Sequence, residues 1–226
     1  MIDLDINNPD VLGLAQALVR METITANGQE IPALEELAEV FRRAGFTCSF
    51  VRYDRDVPSR GNLVAELNPN DTRPALCLGG HIDTVPFGAA EWEDAPLSAL
   101  VKDGKLYGRG SADMKGGMSA IICAALKMAP RLNGRNIAVH VYGGEEFGLL
   151  GSRYLALHSP EHTKHIGAVV VGEPPSNRPQ FGHKGVTWFD LSTTGVTAHA
   201  AMPEKGENAL VKLLPGAARL AAFQPR

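Results

Sequence analysis

Residues 75–86 read ALCLGGHIDTVP, and this stretch decides the fold class. Ala75 to Gly80 is a short apolar run of the kind that forms a buried strand, and a histidine and an aspartate follow at its carboxyl end. The same arrangement recurs downstream, where Ile137 to Tyr142 runs into GGEEFG and Gly167 to Val171 runs into GEP. In open α/β sheets, ligands bind beyond the carboxyl ends of the strands. Three strand ends bearing His, Asp or Glu are therefore the expected layout of one shared site.

Outward from these strands the texture alternates. Leu12, Ala15, Leu18 and Val19 mark an apolar stripe on a helix predicted over Pro9 to Glu22, with Pro9 near its start. Leu34, Leu37, Ala38 and Phe41 mark a second over Ile31 to Ala44, ended by Gly45. Thr47 to Tyr53 and Asn62 to Leu67 are predicted strands, separated by a loop rich in turn formers. Leu106 to Gly110 leads into a Gly-rich turn, and helices are expected from about Met114 to Ala129 and near Leu149 to Leu157. Strands alternating with helices imply an α/β fold in three layers, a mostly parallel sheet between helices. After Gly172 a Pro-rich connection intervenes, and a boundary near Pro179 divides residues 1–178 from 179–226. Beyond it, Phe181 to Thr194 alternates like a strand. Gly206 to Phe223 resembles a helix that Pro215 is expected to break or kink.

Composition narrows the function classes. The 226 residues are 44% hydrophobic and 21% charged, a globular profile. The net charge of -3, with no basic run longer than Arg42-Arg43, argues against a nucleic-acid partner. No basic and apolar leader opens the chain, and no apolar run approaches the ~20 residues of a bilayer span. Cys48, Cys77 and Cys123 lack CxxC spacing, which disfavours both a disulfide framework and a cysteine zinc site and suits a reducing cytoplasm.

The polar residues at the strand ends carry the chemistry. His81 and Asp83 lie two apart at a strand end and point the same way, so one can bind a metal while the other orients it. The pair is also compatible with an ordinary hydrogen-bonded histidine. Asp113, in GRGSADMKGG, is either a helix cap or a carboxylate that bridges two cations. Glu145 and Glu146 are adjacent, so their side chains diverge; one suits a metal and the other a base, or the pair is a solvated acidic turn. Glu173 follows the apolar AVVVG. Each has a plain structural explanation, but the metal reading needs all of them together and finds them. Imidazole with carboxylate oxygen suits Zn²⁺, with Co²⁺ or Mn²⁺ as alternatives. His199 in GVTAHAAMP is, taken alone, a loop histidine. His158, His162 and His165 are interrupted by Ser159-Pro160 and read as surface. No GxxxxGK[ST], GxSxG or HExxH occurs, and GRGSAD has Asp113 where a dinucleotide fingerprint needs its third glycine. A nucleotide-binding use of that turn is the remote alternative.

The ordered set GGHIDTVP, GRGSADMKGG, GGEEFG, VVGEP and GVTAHAAMP resembles the metal-dependent aminoacylase family. That family includes acetylornithine deacetylases, succinyl-diaminopimelate desuccinylases and glutamate carboxypeptidases. The likeness runs to about Leu210, and GEPPSNRPQFGHKG leans toward the acetylornithine deacetylase style. The resemblance implies a sheet of the zinc-exopeptidase type followed by the beginning of an α+β lid and dimerisation domain. It implies two zinc ions per intact site, the first held by His81, Asp113 and Glu173, with Asp113 bridging to a second also held by Glu146. Asp83 would support His81, Glu145 would be general base and acid, and His199 would come from the lid, often of a partner subunit, to steady the oxyanion. The implied substrate is a small N-acyl amino acid or dipeptide cleaved at its amide bond, and the implied assembly is a homodimer. Family members return from the lid with a further histidine for the second metal. No histidine follows His199 here, so the first site is expected complete and the second incomplete, with sheet edges left uncovered. The competing expectation is a truncated, inactive homologue that serves as a folding or dimerising fragment.

Overall fold

The structure, a computed structural model, describes residues 2–174, 176–182, 184–185 and 189–223. Its internal contacts divide the chain into two units, Met1–Arg178 and Pro179–Arg226. The first contains helices α1 (Val11–Val19), α2 (Glu30–Arg43), α3 (Gly116–Met128) and α4 (Leu150–His158). Its strands are β1 (Thr47–Val51), β2 (Asn62–Leu67), β3 (Ala75–His81), β4 (Leu100–Lys102), β5 (Lys105–Tyr107), β6 (Ile137–Tyr142) and β7 (Ile166–Val171).

Five of these strands form one sheet in the order β1-β2-β6-β3-β7. β3 pairs in parallel with both β6 and β7, whereas β2 runs antiparallel to β1 and β6. Only β2 is therefore reversed, and the sheet is mostly parallel, as the alternation of strand and helix predicts. The register positions the site. His81 stands opposite Tyr142, and Gly79 is level with His140 and Val171. The Gly172 amide then donates to the Gly79 carbonyl at 3.1 Å. The chains leaving β3, β6 and β7 thus emerge side by side at one rim.

Alternation sets the layers. Leu63, Ala65, Leu78, Ile137, Val139 and Val141 face one way and join a core with Leu14 and Leu18 of α1, Leu34, Leu37 and Phe41 of α2, and Met118, Ile122 and Leu126 of α3. Each of these side chains larger than alanine contributes about 1.5–3 kcal/mol by leaving water. On the other face Leu155 of α4 is buried, and Asn62 of β2 donates to the Gly151 carbonyl at 3.0 Å. Helices therefore cover both faces near β2 and β6. Among the described residues β7 pairs only with β3, and Val169, Val170 and Val171 are half exposed.

Several boundaries differ from expectation. α1 starts after Pro9 because Asp10 caps it, accepting from the Leu12 and Gly13 amides at 3.0 and 2.9 Å. α3 starts at Gly116, since Asp113 and Met114 have non-helical backbone angles inside a kinked Ser111–Lys115 turn. Asp113 is thus no helix cap. The hairpin β4–β5, mostly ahead of the Gly-rich turn, adds to the elements expected from sequence; Asp103 and Gly104 at its tip both have positive φ, 52° and 72°, the signature of a tight two-residue loop.

In the second unit, part of the strand expected over Phe181 to Thr194 lies outside the described residues (183 and 186–188). Its described part carries no strand; a strand needs a paired neighbour, and the pairing in this unit is the isolated bridge Val196–Glu207. Helix α5 (Ala209–Ala221) runs unbroken through Pro215. The proline forfeits one backbone bond, while Asn208 caps the start by accepting from the Leu210 and Val211 amides.

Candidate metal centre

The site begins with His81, the last residue of β3, which is 1% exposed. Its Nδ1 lies 2.9 Å from the Asp83 main-chain carbonyl. A proton there leaves the Nε2 lone pair free, and that nitrogen faces a group of carboxylates. Asp113 Oδ1 is 3.2 Å from Nε2, Glu173 Oε1 is 3.7 Å and Glu145 Oε2 is 3.8 Å. His81, Asp113 and Glu146 each place a ligand atom within 4.8 Å of the others. Five of the seven sequence-predicted residues thus converge on one rim. Asp83 lies just beneath them, and His199 belongs to the second unit, where its Nδ1 accepts from the Ala201 amide at 3.1 Å.

Asp83 does more than face His81. Its carboxylate, fully buried and 3.5 Å from His81 Nδ1, accepts from the Glu145 and Glu146 amides at 3.1 and 3.2 Å and from the Thr25 hydroxyl at 2.5 Å. It therefore ties the turn after β6 to the end of β3. Burial pushes the Asp83 carboxyl up, but the hydrogen bonds from His81 and Thr25 outweigh that and hold it below its usual range. Burial alone would lower the His81 imidazole; Asp83, then Glu173 and Glu145, overcome this and push it up to about 9, so a cation at Nε2 would displace a proton there.

The rim carboxylates move the opposite way. Burial first, then the charge of Asp113, raises Glu146 to about 6, and burial also raises Glu145 and Glu173. Four carboxylates crowd one imidazole, and three of them resist ionising there. A cation would relieve that repulsion, and one imidazole with carboxylate oxygens is a suitable donor set for a borderline divalent ion. The residues present fit a metal.

Close backbone approach places the remaining ligands. A Cβ on Gly117, in the first turn of α3, would collide with the Gly172 carbonyl, one residue before Glu173. A Cβ on Gly80 would strike Met114 and Met118. A glycine inside an apolar strand signals such an approach, so Gly80 was detectable from sequence. Thr25 was not. It reaches Asp83 because the Thr23–Thr25 segment lies along Ile82–Thr84, with the Thr25 amide donating to the Thr84 carbonyl at 3.1 Å. Of the three histidines read as surface, His158 is exposed, whereas His162 and His165 are partly buried: His165 Nε2 and His162 Nδ1 lie 2.8 and 3.8 Å from Glu66.

Residues 77–222 match the model of the family described as peptidase family M20/M25/M40. Similar curated relatives are succinyl-diaminopimelate desuccinylases. That of Wolbachia pipientis wMel is 31% identical, covering 91% of this chain and 52% of the relative. That of Rhodospirillum centenum is 34% identical, covering 91% and 55%. Both carry the desuccinylase name, not the deacetylase name toward which residues 172–185 lean. Among solved structures, an M20 family metallo-carboxypeptidase from Sulfolobus solfataricus matches with a TM-score of 0.62 at 23% identity, covering 76% of this chain and 39% of that one, a likeness of fold. The chain spans about half the length of the curated relatives it matches. The clustered His, Asp and Glu side chains and the family match agree, and the chain belongs to peptidase family M20/M25/M40.

Proposed function

We propose that this chain is the metal-gripping part of a zinc-dependent hydrolase that cleaves the amide bond of small N-acyl amino acids or dipeptides. The observation that carries this is the convergence of His81, Asp113, Glu146 and Glu173 at the rim where β3, β6 and β7 end. The names of the relatives, desuccinylases and a carboxypeptidase, support an amide substrate next to a carboxylate. In this reading residues 1–178 form the catalytic portion and 179–226 open a lid that also serves a homodimer. Three free cysteines fit a reducing cytoplasm. No helix of the described residues is long and apolar enough to cross a membrane.

When bound, zinc supplies Lewis-acid polarisation of the carbonyl and acidifies an attacking water. The protein does the rest. Asp83 fixes the turn so that Glu145 projects beside His81, and Glu145, whose affinity for protons burial has raised, takes the proton of the attacking water and returns it to the leaving amine. His199 steadies the oxygen on which negative charge develops. Asp113, nearest the imidazole, would hold the cation together with His81.

Glu145→Ala is expected to retain zinc within about threefold of the wild type while turnover of N-succinyl or N-acetyl amino acids falls by about 10²–10⁴. Asp113→Ala is expected to lose the metal outright. Metal analysis after dialysis, with an activity assay of each variant, checks both; equal metal loss in the two variants would contradict the division of roles. One tightly held zinc per chain is the expected stoichiometry. A wild-type chain that holds zinc without turnover would favour the reading of a non-catalytic fragment.

A further inference from the structure

Beneath the turn that carries Glu145 and Glu146 lies a hydrogen-bonded pair, Glu30 and Tyr53. Glu30 opens α2 and is 0% exposed. The Tyr53 hydroxyl donates to Glu30 Oε1 at 3.0 Å, while the buried Oε2 has no hydrogen-bond partner among the described residues. Both side chains press on the turn. A Cβ on Gly144 would stand 2.6 Å from the Tyr53 hydroxyl, and one on Gly143 would stand 3.2 Å from that hydroxyl and 3.0 Å from Glu30 Cγ. Two consecutive glycines there leave room for the pair and nothing larger. The turn is otherwise held by main-chain bonds from Leu150 and Gly151, by Asn62 Oδ1 accepting from the Gly143 amide, and by Asp83 accepting from the Glu145 and Glu146 amides.

We infer that Glu30 and Tyr53 are positioning residues: the hydrogen-bonded pair forms a floor under Gly143-Gly144 that sets the height at which the Glu145 and Glu146 amides meet Asp83. The floor is rigid because Tyr53 has few rotatable bonds and its hydroxyl is anchored to a side chain rooted in a helix. Burial favours the neutral acid at Glu30, raising its pKa to about 7. A neutral carboxyl keeps negative charge away from the Asp83 carboxylate that the same turn must bind. The functional consequence rests on the proposed metal centre; the geometric content does not.

Amide hydrogen exchange of the full chain tests this, residue by residue, in the wild type, Tyr53→Phe, Glu30→Ala and Glu30→Gln. Exchange reports local opening, so a positioning role is visible without metal. Tyr53→Phe and Glu30→Ala are expected to lower protection of the Glu145 and Glu146 amides by about tenfold, while Ile122 and Leu126 in α3 keep theirs. Glu30→Gln keeps an acceptor for Tyr53 and is expected to stay within about threefold of the wild type. Unchanged protection of Glu145 and Glu146, or an equal loss across the whole sheet, would overturn the inference and leave the pair as packing. Should Glu30→Ala fail to fold, Tyr53→Phe alone decides. A parallel zinc titration separates the two readings: in Tyr53→Phe affinity is expected to fall by about 10-fold. A wild type that binds no zinc sinks the metal reading while the exchange result still decides the positioning role.

Discussion

His81 shows how much one residue's surroundings decide. By itself it is a histidine at a strand end; with its Nδ1 on the Asp83 carbonyl, its other nitrogen has a fixed direction and meets carboxylates from three separate loops. Asp113, in the turn before α3, read equally as a helix cap, whereas Glu145 and Glu173 were legible from sequence, because a strand end is where a sheet delivers polar groups. Their partners were less so. Thr25 and Glu30 come from a segment with no motif, and their relation to Asp83 and to the Gly143-Gly144 turn arises only when distant stretches pack. Glu30 also gives a test at this scale. Burial is the largest cause of its shift; Asp83 adds a smaller push upward, against smaller opposing pulls from its hydrogen bonds, Tyr53 included, and from Arg60. Its folded pKa of about 7 exceeds the ordinary 4.5, so between those values the folded state holds a proton that the unfolded state releases. Stability is therefore fully present below about pH 4.5 and declines as pH rises toward 7. The difference spans up to about 3 kcal/mol. Glu30→Gln, which cannot ionise, should gain on the wild type by up to that amount between pH 4.5 and 8. Denaturant unfolding at several pH values measures it, and a pH-independent difference would contradict it.

At the scale of elements, β2, β6 and most of α2 follow their patterns closely, because each has an unambiguous period and clear end signals. The hairpin β4–β5 and the start of α3 do not. The hairpin strands have three residues each, too few to establish alternation. The start of α3 is displaced by an unusual local backbone that places Asp113 toward His81. The contact of α3 with the end of β7 is made by two glycines, Gly117 and Gly172, and no side chain fits between them. Gly117→Ala should therefore push the Gly172–Glu173 loop outward. Zinc affinity is expected to drop by about 10–100-fold, with a stability loss of about 1–3 kcal/mol from overpacking. Competition with a chelator and denaturant unfolding together check this. A variant with normal zinc affinity would show that Glu173 does not depend on that contact.

Across the molecule, the two edges of the sheet, β1 and β7, differ in how far their side chains are covered. β1 and β2 lie under helices, whereas β7 presents an unpaired edge among the described residues, with Val169 to Val171 half exposed. The connectivity of the second unit was not legible from sequence, since its apolar alternation has no partner strand among the described residues to settle it. An exposed valine edge is a template for pairing with another copy. Sedimentation velocity should show association of the chain that grows with concentration and is weakened at least severalfold by Val169→Lys; unaltered association would place the contact elsewhere.

In the proposed function, residues from three strand ends grip a common cation. X-ray absorption at the zinc edge of the metal-loaded chain measures that shell directly. The expected shell is one imidazole nitrogen at about 2.0–2.1 Å with carboxylate or water oxygens at about 2.0–2.2 Å, and the imidazole signal is lost in His81→Ala. A shell with sulfur at about 2.3 Å, or an imidazole signal that survives His81→Ala, would contradict it.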